Sequence, residues 1–99
     1  MSETARSQIM AWTDTSILTA PEKPGVYVLR PQNKTVGYVG MAGTGRLRAR
    51  LQEHKTAADH PLTKFFDWYE HDTEGSAETR ETAWIAKYDP PWNRVQPSA

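Results

Sequence analysis

Pro24-Gly25-Val26-Tyr27-Val28-Leu29-Arg30, followed after Pro31-Gln32-Asn33-Lys34-Thr35 by Val36-Gly37-Tyr38-Val39-Gly40, is the stretch whose local chemistry constrains the rest of the chain. Both outer segments are rich in β-branched and aromatic residues, and Pro and Asn between them are turn formers, so the stretch reads as a β-hairpin. With Pro31 to Lys34 as the loop, Arg30 pairs with Thr35 and Tyr27 falls opposite Tyr38, their Cβ atoms roughly 5 Å apart on one face. Apolar residues on both faces of the first strand call for helices on both sides of the sheet. By itself, the hairpin offers its tyrosines as a packed aromatic pair.

Working outward, 99 residues make one small domain with a single core and leave no length for an accessory domain. An apolar content of 37% with 24% charged residues fits a globular chain and excludes a disordered or fibrous one. The absence of cysteine excludes disulfides and thiolate chemistry, in keeping with a cytoplasmic setting. Met1 to Gln8 lacks the apolar run of a signal peptide, and no segment approaches the roughly 18 apolar residues of a membrane span, so no membrane partner is expected. Twelve basic residues balance twelve acids, which argues against a strong sequence-independent grip on nucleic acid. The distribution is uneven: Lys34 to Lys55 holds five basic residues against Glu53, a local +4, whereas Asp67 to Glu81 holds six acids against Arg80, a local −5. Solvated helix faces share such asymmetry. As a binding side, the basic segment would offer Arg46, Arg48 and Lys55 to phosphates.

Residues 1–23 read as an N-terminal arm, with Ser7 to Trp12 a possible short helix and Pro21 and Pro24 marking an extended approach to the first strand. Residues 24–94 form the domain and 95–99 a tail. After the flexible Met41 to Gly45, Arg46 to Lys55 has helical character. At about 100° per residue, Leu47 and Leu51 define its buried stripe, Arg50 and His54 border that stripe four residues apart, and Arg48 points well round the other side. Arg50 snorkelling over apolar surface beside an ordinary boundary histidine is the bland alternative. Thr56 to Leu62 reads as a loop because Asp59-His60-Pro61 breaks the periodicity. Phe65 to His71 reads as a third strand, with a helix as the alternative, and Asp72 to Gly75 as the turn out of it. In the helix Ser76 to Tyr88, Glu81 lies in the middle of a stripe formed by Ala77, Trp84, Ile85 and Tyr88. A carboxylate there must be ion-paired, hydrogen-bonded or metal-bound, because burying it bare costs several kcal/mol. Asp89-Pro90-Pro91 stops the helix, and Trp92-Asn93 turns the chain back toward the sheet.

Hydrolysing a phosphodiester needs an activated water, neutralisation of charge on the phosphoryl oxygens, and help for the leaving oxygen. A carboxylate holding Mg²⁺ or Mn²⁺, an arginine meeting two phosphate oxygens and a hydroxyl able to move a proton cover these needs. The chain supplies Glu81, Arg50, and Tyr38 or Tyr27. A free tyrosine has a pKa of about 10, so a tyrosine acting as base requires a nearby cation or metal.

Gly-Val-Tyr, ten residues, Tyr-Val-Gly, an arginine helix with a histidine, a glutamate helix and Pro-Pro-Trp-Asn, taken in this order from Pro24 to Asn93, resemble the GIY-YIG nuclease family. The resemblance implies a small α/β fold, a three-stranded mixed or antiparallel sheet flanked by helices, with the site on one face between the hairpin and the helices bearing Arg50 and Glu81. It implies a divalent-metal-dependent DNA endonuclease, nicking or structure-selective, with a single cation on Glu81 and a site of Tyr27, Tyr38, Arg50, Glu81 and Asn93. Gly25 and Gly40 belong to the two motifs, Gly40 for close backbone approach. His54 matches a histidine of the homing and restriction branches that assists proton transfer. The pattern fits Arg50 when a two-residue-longer loop is allowed; without that insertion the arginine would be Arg48. Glu81-Thr82-Ala83-Trp84-Ile85 through Asn93 resembles the excision-repair branch in spacing. Met41 departs from the family, where a lysine or small polar residue follows the second motif. With neutral net charge and no second domain, Met41 favours the alternative of a catalytically weak nucleic-acid or protein interaction module on the same fold. The expected substrate is DNA, branched, nicked or single-stranded, with a partner protein supplying specificity or a homodimer supplying a second site.

Overall fold

The computed structural model describes residues 3–95. Its elements run β1 (Glu3–Arg6), β2 (Met10–Ala11), α1 (Asp14–Ile17), β3 (Gly25–Arg30), β4 (Tyr38–Ala42), α2 (Leu47–Ala57), β5 (Phe65–His71), α3 (Glu74–Tyr88) and α4 (Pro91–Val95). The sheet has five strands rather than the expected three, ordered β1-β5-β3-β4 with β2 also paired to β5, and every pairing is antiparallel.

The two additional strands come from residues 3–11, where a short helix was expected between Ser7 and Trp12. Pairing with β5 satisfies backbone groups that would otherwise be bare, and Ser7 joins in: its N–H donates to the Trp68 carbonyl and its hydroxyl accepts from the Trp68 N–H at 3.0 Å. Alternation then decides the matter, since Met10 and Trp12 turn inward to the core while Ile9 stays exposed.

The hairpin register also differs from expectation. Tyr27 faces Gly40, and Leu29 faces Tyr38. The loop is longer than four residues: Thr35 donates its N–H and hydroxyl to Asn33 Oδ1, Lys34 takes a left-handed φ of 66°, and the Gly37 N–H closes the ladder on the Leu29 carbonyl. A shift of two residues preserves side-chain parity, so both tyrosines still share a face. Across the sheet, Arg30 forks onto buried Asp67 at 2.8 and 3.1 Å and also binds the Lys34 carbonyl, tying the loop to β5.

Two apolar clusters cover the sheet. Tyr27, Leu29, Tyr38, Ala42 and Phe66 pack under Leu47 and Leu51 of α2 and Ile17 of α1; on the other face Val26, Val28 and Val39 pack under Ala77 of α3, flanked by Trp84 and Ile85. Each buried aliphatic or aromatic side chain contributes about 1.5–3 kcal/mol. The arginine and glutamate helices therefore lie on opposite faces, a correction to the one-face arrangement. Smaller boundary differences follow from capping: α2 runs to Ala57 and ends on left-handed Ala58, and α3 starts at Glu74 because the Thr73 hydroxyl accepts from the Ser76 N–H. Trp92 and Asn93 lie in α4 rather than in a simple turn.

Candidate active site

Gly25 and Gly40 are dictated by close approach. A Cβ on Gly25 would meet the Tyr69 carbonyl oxygen at 2.4 Å, and one on Gly40 would lie 2.4 Å from the Tyr27 hydroxyl. The Tyr27 ring thus crosses the Gly40 backbone, and both motif tyrosines are buried, their ring centroids 6.3 Å apart. The bland reading of a packed pair fails to account for what surrounds the Tyr27 oxygen.

Two groups contact that oxygen and a third acts on it through space. Its hydroxyl lies 2.6 Å from His54 Nε2, Arg50 is within hydrogen-bonding reach, and the Glu81 carboxylate acts on it electrostatically. Burial above all drives the phenol's pKa far above its ordinary value of 10; Arg50 opposes this, and Tyr38 and Glu81 reinforce it. Tyr27 is thus a neutral phenol. Burial works against the Arg50 charge, but the Glu53 carboxylate 3.2 Å away and the hydrogen bond to Tyr27 hold its pKa raised. Arg50 reaches the phenol from the helix on one face, and the Glu81 charge acts on it from the helix on the other.

His54 is held from its far side. Asp59 oxygens lie 2.9 and 3.0 Å from Nδ1, a contact made because left-handed Ala58 folds the chain back over the last turn of α2. Tyr38, His54, His60 and Trp92 complete an aromatic layer: Tyr38 to His60 is 4.4 Å between centroids, and His60 stacks on Trp92 at 5.7 Å. His60 is buried with Nε2 unpartnered among the described residues, and burial lowers its pKa. Asn93 occupies the outer edge of β4, where its Oδ1 accepts from the Val39 N–H at 2.8 Å and its Nδ2 donates to the Val39 carbonyl at 2.9 Å.

Arg46, Arg48 and Lys55 fare differently. Arg46 is exposed and paired with Glu53. Arg48, expected to face phosphates, instead donates to the Ala20 carbonyl at 2.8 Å and holds the segment leading to β3. Lys55 lines a cavity of about 450 Å³ together with Trp12, His60 and Lys64. Met41 points to the α3 side of the sheet, away from the tyrosine face. The sequence reading missed Asp59 and His60, which it treated as helix breakers; the available signal was a carboxylate just past the end of a helix that carries a histidine in its last turn.

An antiparallel sheet carrying two motif tyrosines, with an arginine helix on one face and a glutamate helix on the other, makes this an α/β domain of the GIY-YIG class. The chain belongs to that family: residues 23–95 match the model of the GIY-YIG catalytic domain. It is 35% identical over 80 residues to UvrABC system protein C of Streptomyces avermitilis, a match covering 74% of this chain and 12% of that protein, and 38% identical over 82 residues to that of Frankia casuarinae, covering 74% and 11%. The chain thus spans only about an eighth of the length of these curated relatives. Among solved structures, it resembles the GIY-YIG N-terminal endonuclease domain of UvrC from Thermotoga maritima. A point mutant of that domain bound to its catalytic divalent cation gives a TM-score of 0.69 at 27% identity, covering 80% of this chain and 92% of that one; the magnesium-bound form gives 0.66 at 29% over the same shares.

Proposed function

We propose that the protein is a divalent-metal-dependent endonuclease hydrolysing DNA phosphodiester bonds, by nicking or by selecting DNA structure. The observation that carries this reading is the buried Tyr27 hydroxyl, held by His54 and Arg50 and lying in the field of the Glu81 carboxylate. Residues 24–94 would form the nuclease domain, working in the cytoplasm, with residues 1–23 as an arm and 95–99 as a tail.

The donor set suits Mg²⁺ or Mn²⁺. Such ions take oxygen ligands and keep several waters, needing only one or two carboxylates, and Glu81 supplies a half-buried one beside Tyr27. The other compact group of metal-capable side chains among the described residues, His54, Asp59 and His60, is imidazole-rich and ill matched to a hard cation. Bound on Glu81, the metal would supply Lewis acidity at the scissile phosphate. The chain's own residues do the rest. Arg50 meets the phosphoryl oxygens with a fork that stays charged. Tyr38 or Tyr27 takes the proton of the attacking water, with His54 in contact with Tyr27. Gly25, Gly40 and Asn93 hold the strands in place, while Arg46 and Lys55 offer charge to the DNA backbone. Because one site cuts one strand, double-strand cleavage would need a homodimer or sequential nicks, and a partner protein would supply specificity.

Calorimetric titration with Mn²⁺ tests the reading. One site is expected on the folded protein, lost in Glu81→Gln; a folded protein that binds no Mn²⁺ yet binds DNA would replace this reading with the interaction module.

A further inference from the structure

We propose that Asp59 is a positioning residue that fixes the tautomer of His54, so that His54 Nε2 accepts the Tyr27 proton while Tyr27 takes the proton of the attacking water. This rests on the nuclease reading and names a further residue for it.

A carboxylate only accepts hydrogen bonds, so the 2.9 and 3.0 Å contacts to Asp59 place the His54 proton on Nδ1. The neutral ring then presents Nε2 as an acceptor, and the Tyr27 O–H, 2.6 Å away, is the donor. The two contacts occupy both ring nitrogens, which leaves the His54 imidazole satisfied by Asp59 and Tyr27 without a cation. Burial matters here as well. A buried hydroxyl that donates to His54 Nε2 accepts a second proton only by passing on its own, and His54 stands where that proton must go. As the water oxygen forms its bond to phosphorus and the bond to the leaving oxygen breaks, the water proton moves to Tyr27 Oη and the Tyr27 proton moves to His54 Nε2. Asp59 stabilises the imidazolium; the relay then resets as His54 Nε2 passes its proton back to Tyr27 Oη while Tyr27 releases the water-derived proton to solvent, and the leaving oxygen takes a proton from solvent. The acid, histidine and hydroxyl play the parts of an orienter, a base and a proton donor.

The test pairs spectroscopy with kinetics. Long-range ¹H–¹⁵N spectra at pH 7.5 resolve the three histidines, with His54 assigned through His54→Gln. Wild type should show His54 protonated on Nδ1 alone. Asp59→Asn should move that proton to Nε2 and lower kcat for plasmid nicking about 10²- to 10⁴-fold with KM nearly unchanged, and Asp59→Glu should recover part of the loss. The Asp59 side chain is about a quarter exposed, so these variants should fold, with thermal melts as the control. A wild-type His54 protonated on Nε2, or an Asp59→Asn variant with unchanged tautomer and kcat, would overturn the proposal. Should the wild type nick nothing, the nuclease reading fails, and the tautomer arm still decides whether Asp59 orients His54.

Discussion

Gly40 and Asn93 show how single positions hold the candidate site. A methyl group at Gly40 would have to displace the buried Tyr27 ring, which has no free volume to enter. Gly40→Ala should therefore cost about 1–3 kcal/mol in urea unfolding and, by moving the hydroxyl off His54, depress nicking at least tenfold. Asn93 acts differently. Its carboxamide imitates a neighbouring strand for Val39 alone, so Asn93→Ala strands a backbone donor and acceptor in a buried place. A loss of about 2–4 kcal/mol is expected, read as a lower urea midpoint with little change in slope.

At the scale of elements, the end of α2 carries the most consequence. Ala58 sits at φ 51°, which costs a residue with a Cβ about 1 kcal/mol, and the strain turns Asp59 toward His54. Ala58→Gly should keep the turn and leave thermal stability equal or slightly higher, whereas Ala58→Val should lower the melting temperature and weaken nicking together. This turn also shows what the sequence could and could not convey. Arg50, His54 and Glu81 were legible because helical periodicity sorts residues three and four apart, and the same arithmetic set Arg48 aside. Asp59 was not legible, since its place depends on an alanine taking a left-handed conformation that sequence patterns assign to glycine or asparagine. The hairpin was legible as a hairpin but not in register, because an Asn33 side-chain turn lengthened the loop by two residues. β1 and β2, four and two residues long, are too short to carry a period; β5 and Ser7 define them through tertiary bonds.

For the whole molecule, the sheet separates two charged helices that both act on one phenol, α2 by contact and α3 through the Glu81 charge, so integrity of the sheet and of the site should fail together. Removing residues 1–12 would bare one edge of β5 and release the Glu3–Arg80 ion pair. Acid should act through buried histidines. Burial first holds the pKa of His60 and of His71 below 6.5, so both are neutral in the fold. Between the lowered folded pKa and 6.5 the unfolded chain binds protons that the folded chain refuses. Their contribution is therefore flat above pH 6.5, and stability falls by up to about 1.4 kcal/mol per pH unit for each histidine as pH drops below it. Urea midpoints from pH 8 to pH 5 would show the fall, and His71→Gln should flatten part of it.

The most direct measurement is cleavage of supercoiled plasmid, single-strand, flap and branched-junction DNA by the purified protein in Mg²⁺, Mn²⁺ or EDTA, beside its Glu81→Ala variant. The account predicts nicking that requires metal and disappears in the folded variant. Metal-independent cleavage, equal cleavage by both proteins, or binding without cleavage of any substrate would contradict it.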